Sequence, residues 1–101
     1  MNAEELSGQL AAIASTQRLG IIAQLVSEPL HVSELARRME MSRALLYMHL
    51  AKLEAAGFVT GHLELSDDGK ALKFFQAVPF ELSITPAVIA AAVSNEEGTN
   101  G

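Results

Sequence analysis

Residues 42–59 read SRALLYMHLAKLEAAGFV, and the reading of this stretch decides the fold. Ser42 suits a helix N-cap, because its hydroxyl can accept from an N–H left free at a helix start. Gly57 suits a stop, since glycine takes the left-handed conformation that closes a helix. Between them, 100° per residue puts Leu46, Leu50, Leu53 and Gly57 within about 60° of one another. That stripe predicts one buried face. Arg43, Ala44, Tyr47, Met48 and Ala51 sweep out the other side, and few of them are strongly polar. A helix over 43–56 therefore packs with one face and offers a smooth, nearly apolar one to something else.

Upstream, the spacing predicts a short helix from Val32 to Met39 with Leu35 and Ala36 inward. His31 sits at its cap, and Glu34 is placed to reach back in a capping-box manner. Glu40 and Met41 leave only a tight turn before Ser42. SEPL (27–30) ends an earlier helix at Pro29. That helix spans about Gln17 to Ser27, capped by Ser15 or Thr16, with Leu19, Ile22 and Val26 as its inner face. Gly20 within it costs about 1 kcal/mol against alanine, which a close helix contact would explain. A first helix covers about Ala3 to Ala14, with Leu6, Leu10, Ile13 and Ala14 on one stripe.

Downstream, VTGHLEL (59–65) alternates as a strand does: Val59, Gly61, Leu63 and Leu65 on an inward face, Thr60, His62 and Glu64 on the other. SDDG (66–69) is a turn. Folding there pairs Leu65 with Lys70, Leu63 with Leu72, His62 with Lys73, Gly61 with Phe74 and Thr60 with Phe75. The rival reading makes Ser66 a cap and 67–77 a helix. PFELSI (79–84) is extended, and Thr85 and Pro86 open a last helix, AVIAAAV, with proline at its favoured first position. Apolar on nearly every side, that helix must be buried in its own core or against a partner. SNEEGTNG (94–101) reads as a frayed tail after one domain over 1–93.

The 101 residues, half of them hydrophobic, suit one small domain. There is no cysteine, so disulfides, thiolate metal sites and thiol redox sensing are excluded. No signal peptide or membrane span is evident, and the expectation is a soluble, cytoplasmic protein. The net charge of −5 is the wrong sign for a general polyanion binder. However, six of the seven Lys and Arg lie between positions 37 and 73, which permits a local anion-binding face.

Two short helices joined by a tight turn, then a hairpin, make a helix-turn-helix with a wing: a mainly α fold with a small β-hairpin and extra N- and C-terminal helices. The residues Gln17-Arg18-Leu19 with Ile22, VSELARRMEMS (32–42), LLYMHLAKLEAAGFV (45–59), DDGKALKFF (67–75) and PFELSITP (79–86) resemble the ArsR family of prokaryotic winged helix-turn-helix regulators. HLAKLEAAGFV is the most specific part and is shared loosely with neighbouring winged-helix families. The resemblance covers about positions 6 to 93. It implies a homodimer paired through the first and last helices, here Leu6, Leu10, Ile13, Val88, Ile89, Ala92 and Val93. It also implies that the fourth helix enters the major groove while the hairpin tip approaches the backbone or minor groove. Metal-sensing members carry cysteines in the third helix or Asp, His and Glu in the last. VSELARRM and TPAVIAAAV carry neither set, so no metal or other cofactor is expected.

Arg43 is the leading base reader, because a guanidinium at the start of a recognition helix pairs well with guanine O6 and N7. Its bland alternative is a surface ion pair with Glu40. Ser42 can add a phosphate bond to its capping role, and Tyr47 can bond phosphate or pack at the helix junction. Ala44, Met48 and Ala51 offer apolar contact, for example to thymine methyls. Arg37, Arg38, Lys52, Lys70 and Lys73 suit phosphates, which position a protein without reading sequence. Asp67 and Asp68 oppose insertion of the wing unless turned away. His49 is expected to make a structural hydrogen bond, His31 to cap and His62 to stay exposed. No catalytic constellation appears, so an enzyme is not expected.

The functional expectation is a homodimeric, sequence-specific, double-stranded-DNA-binding transcriptional regulator, with any small-molecule effector unknown. The rival is a winged-helix interaction or dimerisation module that does not bind DNA specifically.

Overall fold

A computed structural model describes residues 1–100 of the chain, and the side chains of residues 1–95. The elements are α1 (Ala3–Ile13), α2 (Thr16–Gln24), β1 (Leu30–His31), α3 (Val32–Met39), α4 (Arg43–Ala55), β2 (Val59–Leu65), β3 (Ala71–Ala77) and α5 (Pro86–Asn100). The tail expected over 94–101 falls, from residue 96 on, outside the described side chains.

Helix starts follow the capping chemistry of the sequence. Asn2, Ser15, His31 and Ser42 each accept from a first-turn backbone N–H with the side chain, and Thr85 Oγ1 accepts from Val88 N–H at 3.1 Å. Glu34 does not close the expected capping box. Its carboxylate is drawn instead to Arg37 and Arg38, which offer charged donors where the His31 backbone offers a neutral one.

The inner face of α2 differs from the expected one. Ile21 and Leu25 are buried, Ile22 is half-buried against the core, and Leu19 and Val26 are exposed. The buried stripe is 18, 21, 22, 25, headed by Arg18. Counting only apolar residues rotated the helix by about one position, because the residue that heads its inner face is charged. Gly20 does make the expected close contact: a Cβ there would lie 3.0 Å from Met39 Cε of α3.

Residues 71–77 form a strand and 67–70 belong to the turn before it, so the alternative helix over 67–77 is not formed. β2 and β3 pair antiparallel, and the two-residue β1 adds a third strand on the far side of β3, giving the order β1-β3-β2. The register is one residue from that expected: Leu65 faces Ala71, Leu63 faces Lys73, His62 faces Phe74, Gly61 faces Phe75 and Thr60 faces Gln76. The loop takes five residues, 66–70. Ser66 N–H donates to Lys70 O at 2.8 Å, and Gly69 sits at φ +82°, a position that favours glycine. Gly61 is held to glycine by its neighbours, since a Cβ there would lie 2.9 Å from Phe75 Cε1 and from Lys73 Cε.

The core joins Ile21, Leu25, Leu30, Val32, Leu35, Leu46, Leu50, Leu53, Phe58, Val59 and Phe75. It lies under α2, α3 and α4 and closes on the base of the hairpin. Leu63 and Leu65 are not inward as alternation suggests. They are 66% and 79% exposed, because the hairpin extends past the end of the helical layer and, of β2, only Val59 reaches the core.

Candidate nucleic-acid interface

On α4, Leu46, His49, Leu50 and Leu53 are buried. Arg43, Ala44, Tyr47, Met48 and Ala51 are all exposed, so the two faces divide as the 100° spacing predicts. Tyr47 is 42% exposed and Met48 51%. Glu40, in the left-handed region at φ 53°, turns the chain between α3 and α4, and Met41 N–H closes back to Ala36 O at 3.1 Å. Three residues thus separate the two helices, and Ser42 Oγ caps the second by accepting from Leu45 N–H at 3.1 Å.

The cations are held unequally. Arg43 donates to Ser33 Oγ on α3 and not to Glu40, so its partner is neutral and exposed. Arg37 and Arg38 both donate to Glu34 at 2.8 Å through Nε. Those hydrogen bonds, from Arg37 first and then Arg38, hold the Glu34 carboxyl down to about 2. Lys52 is exposed on the last turn of α4. Lys70 at the hairpin tip lies 3.9 Å from Asp68. Lys73 is half-buried, its Nζ 5.4 Å from the centre of the Phe75 ring.

The tip acids part company. Asp68 is turned into its own turn, accepting from Ser66 Oγ and from Lys70 N–H, and these bonds, the hydroxyl first, lower its pKa. Asp67 is exposed. Further down the wing, His62 bonds Glu64 at 2.7 Å and stacks on Phe74, which meets the edge of His31.

His49 makes the structural hydrogen bond expected of it, to a partner the sequence reading did not single out. Arg18 Nη1 lies 3.0 Å from His49 Nδ1, and Arg18 Nε donates to Ala12 O at 2.6 Å. A guanidinium has no acceptor, so Nδ1 must accept and the imidazole carries its proton on Nε2. Burial first, then the charges of Arg18 and Lys52, lowers the His49 pKa. One side chain of α2 therefore ties the end of α1 to the middle of α4. The signal for it was the charged head of the α2 stripe.

At the other end of the molecule α1 packs on α5. Leu6 and Ala92 are buried there, Leu10 is half-buried, and Val88, Ile89 and Val93 are exposed, whereas Ile13, also half-buried, packs against the helical core. Phe80 and Ile84, in the segment before α5, are also exposed, Phe80 with its ring against Phe58. Asn95 Nδ2 donates to Met1 O at 3.1 Å, pinning the two ends together. No helix among the described residues is long and apolar enough to cross a membrane.

A recognition-type helix presented by a three-residue turn, with a hairpin beside it, defines a winged helix-turn-helix protein. Residues 15–60 match the model of the arsR family of bacterial regulatory proteins. An uncharacterised HTH-type transcriptional regulator of Methanocaldococcus jannaschii is 33% identical over 84% of this chain and 88% of its own. The nodulation protein NolR of Rhizobium meliloti is 39% identical over 58% of this chain and 48% of its own. The crystal structure of NolR from Sinorhizobium fredii superposes with a TM-score of 0.66 at 26% identity, covering 94% of this chain and 84% of that one. The fold is also that of a Mycobacterium bovis domain described as a homodimeric winged helix-turn-helix DNA-binding domain, with a TM-score of 0.66 at 15% identity, covering 96% and 79%. The chain belongs to the arsR family: it is a winged-helix transcriptional regulator, of a family of regulators and not of enzymes.

Proposed function

We propose that this regulator acts as a homodimer that binds double-stranded DNA at specific sites, with α4 in the major groove. One observation carries the reading. α4 is fixed to the core by four buried residues while its opposite face, with Arg43 at the N-terminal end, stands clear in solvent. Arg43 reads a base edge, while Ala44, Tyr47 and Met48 fit thymine methyls and the groove wall. Ser42, Arg37, Arg38, Lys52, Lys70 and Lys73 supply phosphate contacts to different degrees. Lys70 is the freest of the wing lysines, and Lys73 is the most constrained.

The exposed Val88, Ile89 and Val93 on α5 are the dimer surface, with Leu10 of α1 beside it; Leu6 and Ala92 hold the two helices together within each protomer, where Ile13 packs on the core. A two-fold dimer presents its two α4 helices to successive major grooves about 34 Å apart, so the site is roughly palindromic. With one arginine and a largely apolar face per protomer, discrimination draws on methyl contacts and DNA shape as well as on a polar code.

The second reading, a docking module without specific DNA binding, is favoured by the net charge of −5 and by the capture of Arg37 and Arg38 by Glu34. Titrating random duplex DNA at low salt separates the two. The DNA-binding reading expects a strongly salt-dependent signal at micromolar protein. No signal there would leave the docking module.

A further inference from the structure

Between α1, α2 and α4 lies a solvent-open cavity of about 660 Å³, a groove with several exposed lining residues, whose volume is within the range of small-molecule sites. Two cations line it, Arg18 from α2 and Lys52 from α4, in a chain whose net charge is −5. Neither is in an ion pair among the described residues. Arg18 is half-buried, and its donors go to two backbone carbonyls and a neutral imidazole, none of which cancels its charge. Glu5 is the one acid of the lining, and it is exposed. Apart from Gln9, whose buried Oε1 has no hydrogen-bond partner, the remaining wall is small: Gly8, Ala11 and Ala12 from α1, with Ala55 and Ala56 at the end of α4. A Cβ added at Gly8 would meet nothing within 4 Å.

We propose that this cavity binds a small organic carboxylate with an apolar body, the carboxylate between Arg18 and Lys52 and the body along the alanine wall. The guanidinium fork matches a carboxylate in shape and charge, and its partial burial strengthens the attraction relative to open water. Alanine walls leave room for an arylalkyl group and give it apolar contact.

Binding there has a structural consequence, because the same arginine holds His49 of α4 and the last carbonyls of α1. A carboxylate that draws Arg18 toward the cavity weakens its bond to His49 and shifts α4 relative to α1. This consequence for DNA affinity rests on the reading of α4 given above, whereas the site itself does not.

The test uses the full chain without DNA. It is titrated calorimetrically with 3-phenylpropanoate, with its uncharged amide, 3-phenylpropanamide, and with inorganic phosphate. The expected result is saturable binding of the acid at one per chain, with the amide and phosphate at least tenfold weaker. Gly8→Leu should fill the cavity and remove binding while keeping the helical circular dichroism, and Lys52→Gln should weaken binding several-fold. Saturation with the acid should move the His49 ring nitrogen resonances. No binding of the acid up to millimolar concentration would overturn the site, as would an equally good amide or undiminished binding by Gly8→Leu. Phosphate as tight as the acid would overturn the assignment of an apolar body. Adding DNA then tests the coupling: the acid should change DNA affinity several-fold, and unchanged affinity with the acid bound would overturn it. A chain that binds the acid but no DNA would uphold the site and sink the DNA-binding reading alone.

Discussion

Arg18 and His49, 31 positions apart in sequence, meet at 3.0 Å with the guanidinium donating to Nδ1. The contact works only with a neutral imidazole. The folded-state pKa of His49 lies below its usual value, so below about pH 6.5, the ordinary histidine value, the unfolded chain takes up a proton that the folded chain resists. Stability from this group is complete above that pH and is lost as pH falls through it. Thermal unfolding should show Tm falling between pH 7.5 and pH 5.5. His49→Asn, whose carbonyl can accept from Arg18, should flatten that slope. An unchanged slope in the variant would assign it to other groups. Glu34 and Asp68 do not confuse the window, because their lowered carboxyl pKa values act below about pH 4.

Leu50 is almost completely buried and Leu65 is 79% exposed, although both belong to apolar stripes in the sequence. Leu50→Ala should cost about 2–5 kcal/mol, and Leu65→Ala should stay within about 0.5 kcal/mol of the parent. Urea unfolding of the two variants measures both. A large loss at Leu65 would mean that the wing packs on something in solution.

Gly61 lies under the Phe75 ring, and the Lys73 stem that also crowds it can move while the buried ring cannot. Gly61→Ala should therefore destabilise by about 1–3 kcal/mol, as overpacking does. Combining it with Phe75→Leu should recover part of the loss, whereas Phe74→Leu should recover none. That contrast checks the register chemically.

Arg43→Ala should weaken binding to a selected DNA site by about 1–3 kcal/mol and have much less effect on random duplex. Lys70→Ala should lower affinity on both alike and flatten the salt dependence. Fluorescence anisotropy over a salt series reads both. Equal losses for Arg43→Ala on the two DNAs would remove it as a base reader.

Ile89 is 46% exposed on a helix that carries no charged residue from 86 to 95. Ile89→Glu should split the proposed dimer, lowering the sedimentation mass to one chain and removing the dependence of Tm on protein concentration that a dimer shows. A parent chain that already sediments as a monomer would refute the dimer.

The sequence carried the helix-turn-helix plainly, since caps, stop glycine and leucine spacing all agree along residues 31–59, whereas the second strand of the wing competed with a helix over 67–77. Three features were hidden for separate reasons. The two residues of β1 are too few to show alternation, so the third strand had no local signal. The hairpin register depended on whether Lys70 belongs to the loop, and composition does not decide a one-residue slip. On α2 a polar residue heads the buried stripe, so a count of apolar positions chose Leu19 and Val26 over Ile21 and Leu25. That same polar residue, Arg18, was visible only as part of a family resemblance. Its role as a tie across three helices is a tertiary fact.

β2 is the longer of the two outer strands of the sheet, seven residues, with Leu63 and Leu65 bare on one face. A free strand margin of this kind is a template for unwanted self-association, which proteins blunt with charge, bulges or short length. Here the blunting is sparse: Glu54 covers the Gly61 N–H at 3.3 Å, and Glu64 lies on the strand's other face. Protection of this margin from edge-to-edge pairing therefore rests on a few polar groups along the wing. A lysine in place of Leu65 is the simplest way to extend shelf life while leaving the helical layer as it is.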